Sequence, residues 1–233
     1  MATPGCTIFV VDDDPSVSKL LTHLVTPAGM EVVAFSSAQA FLDYKPQDGL
    51  SCLVLDVEMP KLNGLELQDE LRRVGRDIPI IFLTGRGDVP MTARAMKAGA
   101  VDFLEKPCQP QNLLDAIDRA LALDHRTRVD RAECAAIQLR VETLTPRELE
   151  VLNLVVAGLL NKQIATRLGL TEGTVKVHRG RVMTKMQAES VAELTLLAAR
   201  IGIQPPGRAL APTQDKIGSD NDVTPSFRLP KPS

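Results

Sequence analysis

The chain has 233 residues, of which 44% are hydrophobic and 24% are charged. This composition is typical of globular domains and excludes a largely disordered chain, a collagen-like repeat and a coiled-coil rod. No stretch reaches the ~18–20 apolar residues of a membrane-spanning helix, and the N-terminus lacks the basic residues of a signal peptide. Because the four scattered cysteines also form no CxxC pair, we expect a cytoplasmic protein without a disulfide framework or a zinc site.

Charge is distributed unevenly along the chain. Residues 1–124 carry 11 basic and 18 acidic residues, whereas residues 144–203 carry 8 basic and 5 acidic residues. The formal net charge of -2 conceals this difference. An acidic first half and a basic second half predict two domains with different partners, although the basic excess is equally consistent with an ordinary solvated surface.

Short β-branched segments alternate with amphipathic helical segments through the first half of the chain. The segments recur every ~20–25 residues, which is the spacing of repeated βαβ units. Because the predicted strands are apolar throughout, they indicate a parallel sheet that is covered on both faces. The sequence therefore predicts a doubly wound α/β domain with the flavodoxin-like strand order 2-1-3-4-5. The five predicted strands are residues 7–11, 31–35, 52–55, 79–83 and 101–104.

The second half is predicted to be all-α. Residues 111–145 contain neither glycine nor proline, and they predict a helix from Pro110 that either continues through a charged stretch or breaks near Asp124. A capping-box sequence at Thr145 then begins a four-helix domain. The tail is rich in proline and is predicted to be disordered. The predicted domains are residues 5–125, a helical linker at 126–143, the four-helix domain at 144–203 and the tail at 204–233.

Charged side chains follow several of the predicted strands. Asp12 and Asp13 follow the first strand, and Asp56 follows the third. Ligands of an open parallel sheet bind outside the carboxyl ends of the strands at the topological switch point, which lies between strands 1 and 3 in this order. The three carboxylates should converge there, beside Thr84 and Lys106. Each residue alone is also consistent with a helix cap, a turn or a surface position.

Crowded carboxylates suggest a bound cation or raised pKa values, because like charges repel one another. A site with few hard oxygen ligands suits Mg²⁺, which completes its coordination with water and phosphate oxygens. A carboxylate beside Mg²⁺ can attack phosphorus and form an aspartyl phosphate, whose charge Lys106 would pair. Since no histidine follows these strands, the phosphoryl donor is expected to come from outside the chain.

The sequences FVVDDD at 9–14, LDVEMP at 55–60 with Gly64, LTG at 83–85 and FLEKP at 103–107 resemble the receiver domain of bacterial two-component response regulators. The resemblance covers roughly residues 5–125. It implies a phosphoacceptor, a Mg²⁺ site, a phosphate-contacting pair, a switch pair and a cis peptide at Lys106-Pro107. The resemblance implies Asp56 as the phosphoacceptor, and Asp12, Asp13, Asp56 and the backbone carbonyl of Glu58 as the ligands of Mg²⁺. It implies Thr84 and Lys106 as the pair that contacts the phosphate. Thr84 and Phe103 are the implied switch residues.

Two short predicted helices in the second half have helix-turn-helix spacing. At ~100° per residue, the second of them buries Val175, Val182 and Met186. Its opposite face carries Val177, Gly180, Arg181 and Thr184, with Lys176 at the edge. Such a face suits a major groove, since lysine and arginine can bond guanine and valine can contact a thymine methyl group. An ordinary solvated face is the alternative.

The sequences LTPRE at 144–148, NKQIA at 161–165 and GTVKVHR at 173–179 resemble the LuxR/FixJ-type DNA-binding domain over roughly residues 144–203. The resemblance implies that the third helix of this domain enters the major groove. Many relatives carry a longer residue where Gly180 stands. GDVPM at 87–91 and the pair at 178–179 point to the FixJ-like branch, which includes regulators of nitrogen fixation and of aromatic catabolism. The implied base readers are Lys176, Val177 and Gly180, with Arg181 on the same face, and the implied phosphate contacts are Lys162, Thr174, Arg179 and Lys185.

The two resemblances together imply a phosphorylation-activated transcriptional regulator that is not an enzyme. A sensor histidine kinase would phosphorylate Asp56, a homodimer would form, and the dimer would bind promoter DNA and work with RNA polymerase, away from membranes. Three alternatives remain: a DNA-binding regulator that ignores phosphorylation, a phosphoryl-transfer enzyme that uses the same pocket, and a protein-interaction module in the second half. The expected dimer surface on the fourth helix of the first domain includes Met91, Arg94, Ala95 and Ala98.

Overall fold

The structure, a computed structural model, describes residues 5–45, 49–85 and 87–203. The predicted tail at 204–233 lies outside these residues. The chain divides into two compact units at Glu133 and Cys134. The first unit contains five parallel strands in the order β2-β1-β3-β4-β5, which confirms the predicted topology. The strands are β1 (Thr7–Val11), β2 (Glu31–Phe35), β3 (Ser51–Leu55), β4 (Ile80–Thr84) and β5 (Asp102–Glu105).

Helices cover both faces of this sheet. Side chains alternate along β1, so Ile8 and Val10 pack into one apolar core whereas Phe9 and Val11 pack into the other. The first core lies under α1 and α5, and the second lies under α2, α3 and α4. The helices are α1 (Pro15–Val25), α2 (Ala38–Asp43), α3 (Gly64–Arg73), α4 (Val89–Lys97) and α5 (Pro110–Glu142).

The structure differs from the sequence-based prediction in the bounds of three strands and in one helix of the sheet unit. Strand β3 begins one residue earlier than predicted, and β5 lies one residue later. Strand β4 begins at Ile80 rather than Pro79, because proline has no N–H to contribute to the ladder; its carbonyl oxygen accepts the N–H of Leu53 at 2.9 Å. The six-residue helix α2 was absent from the prediction. Its start depends on Ser37, whose side chain accepts the N–H of Ala40.

Helix α5 runs unbroken for 33 residues through Asp124, where a break was an open alternative. Asp124 does not interrupt the helix because its buried carboxylate has partners outside the helical backbone ladder. It accepts the N–H of Ser51 at 3.0 Å and the Nε of Arg128 at 2.7 Å. No helix of the described ranges is both long and apolar enough to cross a membrane.

The second unit contains the four predicted helices around a third apolar core, to which Ile137 of α5 contributes. The capping box at Thr145 is present, since Thr145 Oγ1 accepts the N–H of Glu148 and the Glu148 carboxylate accepts the N–H of Thr145. The predicted buried residues Val175, Val182 and Met186 all lie in this core. The helices are α6 (Pro146–Val156), α7 (Asn161–Leu168), α8 (Glu172–Met186) and α9 (Val191–Arg200).

Candidate functional site

The carboxyl edge of the sheet brings together the three carboxylates that the strand order predicts. One oxygen each of Asp12, Asp13 and Asp56 lies within 4.8 Å of the other two. The backbone places them, since the Asp12 N–H donates to Phe35 at 3.1 Å and the Asp56 N–H donates to Val11 at 2.9 Å. Asp12 and Asp56 are buried whereas Asp13 is exposed, so the cluster opens to solvent on one side.

Lys106 closes the pocket from the end of β5. Its ammonium lies 2.6 Å from Asp12 Oδ2 and 3.7 Å from Asp56 Oδ2. The backbone N–H of Lys106 donates to the backbone carbonyl of the buried Thr84 at 2.7 Å, and this bond joins the ends of β4 and β5. The predicted cis peptide between Lys106 and Pro107 is present. The ammonium group of Lys106 is therefore shared between the carboxylates of Asp12 and Asp56, and Thr84 lies at the neighbouring strand end.

The environment of Asp56 fits a carboxylate that binds a cation. Burial raises the pKa of Asp56 above its ordinary value, the positive charge of Lys106 opposes this, and the negative charge of Asp12 adds to it. Asp56 Oδ1 is buried and accepts no hydrogen bond from the residues that the structure describes. A buried oxygen without a donor is costly, and a divalent cation among three carboxylates would supply the missing partner. The residues present therefore fit Mg²⁺.

Gly64 has a role at this site that sequence reasoning did not identify. A Cβ on Gly64 would lie 2.2 Å from the backbone oxygen of Asp56, which no real side chain permits. The glycine lets α3 begin directly against the strand end, where the Gly64 N–H donates to Val57 at 3.0 Å. The sequence shows a glycine at this position, but only the fold shows which backbone approaches it.

The predicted switch and dimer residues differ in how far they are buried. Phe103 is partly buried, and its ring centroid lies 5.8 Å from that of Phe82. The Glu58 side chain is exposed shortly after β3. This exposure is compatible with its predicted role, because that role uses only the backbone carbonyl. The inclusion of Ala95 in a dimer surface is wrong, because Ala95 is fully buried in the core beneath α4.

Helices α7 and α8 form the predicted helix-turn-helix. Gly169 ends α7 in the left-handed conformation, with φ 66° and ψ 37°, which glycine adopts without a steric penalty. Thr171 then caps α8, because its Oγ1 accepts the N–H of Thr174 at 3.1 Å. Arg179 Nη1 donates to Asn161 Oδ1 at 2.9 Å and joins the middle of α8 to the start of α7. The turn is thus held by local caps and one cross-helix contact.

The exposed face of α8 carries all four predicted residues of the base-reading face. Lys176, Gly180 and Arg181 are exposed, and the apolar Val177 is 53% exposed. No described atom lies within 4 Å of a Cβ built on Gly180, so the interior of the chain does not require a glycine there. Glycine inside a helix costs about 1 kcal/mol relative to alanine. This cost is consistent with close approach of another molecule to α8.

The structure changes the interpretation of one predicted phosphate contact. The Lys185 ammonium lies 2.7 Å from Glu148 Oε2 and 2.8 Å from the carbonyl oxygen of Thr143. The Glu148 side chain is only 3% exposed, so this is a largely buried ion pair that joins α8 to the start of α6. Lys185 therefore has a structural role within the domain, and its contact with a DNA phosphate stays a prediction, whereas Lys162 at the start of α7 is exposed.

The Glu148–Lys185 pair yields a stability prediction. Glu148→Gln is expected to lower the local stability of α6 and α8 by about 2 kcal/mol, because it leaves a partly buried ammonium without its counter-ion. Hydrogen exchange of the α6 and α8 amides in the full chain measures this loss. The matched control is Glu150→Gln, which removes an exposed pair with Arg147 and should cost less than about 0.5 kcal/mol.

The same pair predicts a pH dependence. Lys185, the N–H of Thr145 and the hydroxyl of Thr145 hold the pKa of Glu148 below its ordinary value against the effect of burial. The stabilisation is therefore complete above the ordinary pKa of a glutamate and is lost as the pH falls through the lower folded-state pKa. The exchange difference between wild type and Glu148→Gln should vanish in that acidic range; a difference that persists there would contradict the assignment.

Two protein families match the chain. Residues 8–118 match the family described as "Response regulator receiver domain", and residues 142–198 match "Bacterial regulatory proteins, luxR family". The first match contains the carboxylate pocket, and the second contains α6, α7 and α8.

Several characterised relatives are similar over most of their length. Nodulation protein W of Bradyrhizobium diazoefficiens is 50% identical over 87% of this chain and 89% of its own, and Transcriptional regulatory protein FixJ of Rhizobium meliloti is 43% identical over 85% and 98%. Response regulator protein TodT of Pseudomonas putida is 42% identical over 86% and 88%. Among solved structures, response regulator StyR has a TM-score of 0.72 at 46% identity, covering 84% of this chain and 99% of that one. Full-length FixJ from B. japonicum has a TM-score of 0.52 at 42% identity, covering 86% and 99%.

Proposed function

Because the chain belongs to the two-component response regulators that join a receiver domain to a LuxR-type DNA-binding domain, we propose that phosphorylation of Asp56 controls its binding to promoter DNA. The carrying observation is the pocket itself, in which a buried oxygen of Asp56 accepts no hydrogen bond from the described part of the chain and lies beside two further carboxylates and one lysine. We assign residues 5–125 to the receiver, 126–143 to the linker and 144–203 to DNA binding.

The chemistry follows from the residues of the pocket. An oxygen of the Asp56 carboxylate attacks the phosphorus of a phosphohistidine on a sensor histidine kinase. The new P–O bond forms as the P–N bond breaks, and the electron pair of that bond remains on the imidazole nitrogen. Lys106 already lies 3.7 Å from Asp56 Oδ2, so it is placed to pair with the added charge. The Thr84 hydroxyl donates to a phosphoryl oxygen in this proposal.

Asp12, Asp13 and Asp56, with the backbone carbonyl of Glu58, would hold Mg²⁺. When bound, the ion supplies a positive charge that offsets the repulsion among the three carboxylates and the incoming phosphoryl oxygens. Receiver domains generally bind this ion at an acidic pocket, and the cluster of carboxylates is present here. Self-dephosphorylation is the only turnover that we propose for the chain.

In the second unit, the exposed face of α8 is proposed to read the major groove. Lys176 and Arg181 would bond base edges, Val177 would contact a thymine methyl group, and Gly180 would allow close approach. Phosphate contacts would come from Lys162, with Arg179 and Thr174 contributing atoms that their contacts within the domain leave available. Phosphate contacts position the helix, whereas base contacts specify the sequence.

Phosphorylation is proposed to act through Thr84 and Phe103 on the face made by α4, β5 and α5. A homodimer formed there would place two α8 helices on half-sites about one helical turn apart. With Ala95 excluded, the exposed residues of α4 are Val89, Pro90, Ala93, Arg94, Met96 and Lys97. RNA polymerase is the expected partner of the DNA-bound dimer.

Selection of genomic DNA fragments by the purified full chain tests this function. We expect fragments with paired half-sites to be enriched when acetyl phosphate and Mg²⁺ are both present, and little enrichment when either is omitted. Equal enrichment under all conditions would support a DNA-binding regulator that acts independently of phosphorylation. Enrichment under none of them would contradict DNA binding and favour a protein-interaction module.

A further inference from the structure

Gly87 allows the loop between β4 and α4 to lie directly against the ring of Phe103. A Cβ built on Gly87 would lie 2.8 Å from Phe103 Cε1 and 3.1 Å from Glu105 Oε1. Contacting carbon atoms are normally ~3.5–4.0 Å apart, so even alanine would force a neighbour to move. The φ angle of Gly87 is outside the left-handed region that favours glycine. The neighbouring ring, rather than the backbone angle, therefore accounts for the glycine.

The Phe103 ring also packs against a second aromatic ring. Phe82 is fully buried, and its ring centroid lies 5.8 Å from that of Phe103. The two atoms that a Cβ on Gly87 would approach too closely, Phe103 Cε1 and Glu105 Oε1, stand at the far ends of side chains, which can rotate without unfolding the strand. A side chain at position 87 is therefore expected to displace the Phe103 ring while the fold persists.

The contact between Gly87 and Phe103 also lies between the phosphorylation pocket and α4. Three residues before Gly87, the carbonyl of Thr84 accepts the Lys106 N–H at 2.7 Å. Directly after Gly87, Asp88 caps α4 by accepting the Met91 N–H at 2.7 Å. Short contacts and neighbouring residues thus connect the pocket to the first turn of α4. They pass through Gly87, which lies against the Phe103 ring.

We propose that Gly87 is a positioning residue of the switch. It leaves the space in which the Phe103 ring rests while Asp56 is an unmodified carboxylate paired with Lys106. A side chain at this position expels the ring and biases the receiver toward its phosphorylated conformation. The inference rests on the proposed function, because it concerns how the phosphorylation signal reaches α4.

Fluorine NMR of the full chain labelled with fluorophenylalanine follows the ring, and Phe103→Leu assigns its resonance. In the unphosphorylated protein, Gly87→Ala should move the Phe103 resonance toward the position that wild type reaches with acetyl phosphate. The dimer dissociation constant should fall at least about fivefold, as expected for a biased two-state equilibrium. The matched control is Gly85→Ala in the same loop, where a Cβ meets no described atom within 4 Å and the resonance should stay in place.

A second variant tests the contact itself. Leucine ends at Cδ and has no Cε1, so Gly87→Ala combined with Phe103→Leu should dimerise as Phe103→Leu alone does. Independent effects of the two substitutions would overturn the proposal. The proposal would also be overturned if Gly87→Ala behaved like Gly85→Ala while wild type still responded to acetyl phosphate. That result would leave the proposed function unaffected. A wild type that does not respond would overturn the proposed function and this inference with it.

Discussion

Replacing Asp56 by asparagine is expected to abolish phosphoryl incorporation while raising the thermal stability of the receiver domain. The amide is not a nucleophile toward phosphorus, so incorporation should fall below detection. Burial and the charge of Asp12 raise the pKa of Asp56 in spite of Lys106, so the charge on Asp56 costs more free energy in the folded state than in the unfolded state. A neutral side chain of the same shape avoids this penalty. Phosphate-affinity gels after acetyl phosphate treatment, and thermal unfolding without Mg²⁺, measure the two effects.

The opposite signs of these two effects separate a lost acceptor from a damaged fold. Asp43→Asn is the matched control, because Asp43 is exposed on α2 and bonds only Gln39 Nε2 among the described contacts. It should keep full phosphorylation and unchanged stability. Wild-type levels of incorporation into Asp56→Asn would show that another group is the acceptor. A fall in its melting temperature would contradict the electrostatic interpretation of the pocket.

The convergence of Asp12, Asp13 and Asp56 was predictable because it depends only on strand order. Parallel strands place their carboxyl ends at one edge, and the order 2-1-3-4-5 puts β1 beside β3. The roles assigned to these residues remain predictions until phosphorylation is measured. The order of strands does not show which atoms approach a glycine, so the reasons for Gly64 and Gly87 emerge only from the folded chain.

Two predictions about surface positions depended on packing that the sequence does not show. The resemblance implied Lys185 as a phosphate contact, and Ala95 was placed on a dimer surface, but the surroundings of each residue depend on another element that packs against its helix. Lys185 meets the Glu148 carboxylate at the start of α6, and Ala95 lies above the sheet beneath α4. Helical periodicity identifies a face of one helix and gives no information about which charged group faces it across the domain.

Truncating Lys176 and truncating Lys162 are expected to weaken DNA binding in different ways, and this difference tests the proposed orientation of α8. Lys176→Ala should cost about 1–3 kcal/mol on the selected site and relax the preference at one base pair, because a base contact is lost. Lys162→Ala should weaken binding to all sequences alike. It should also reduce the slope of the logarithm of the binding constant against the logarithm of the salt concentration by about 1. Affinity measured on single-base variants at several salt concentrations resolves both.

Lys19→Ala provides the control for charge alone, because Lys19 is an exposed lysine on α1 in the other unit. It makes the same change in net charge and should leave affinity, base preference and salt slope unchanged. If Lys176→Ala weakened all sequences equally, Lys176 would be a phosphate contact and α8 would not read bases through it. If Lys176→Ala had no effect at all, the exposed face of α8 would not be the DNA-binding surface. The presence of a glycine at position 180 inside this helix would then need another explanation.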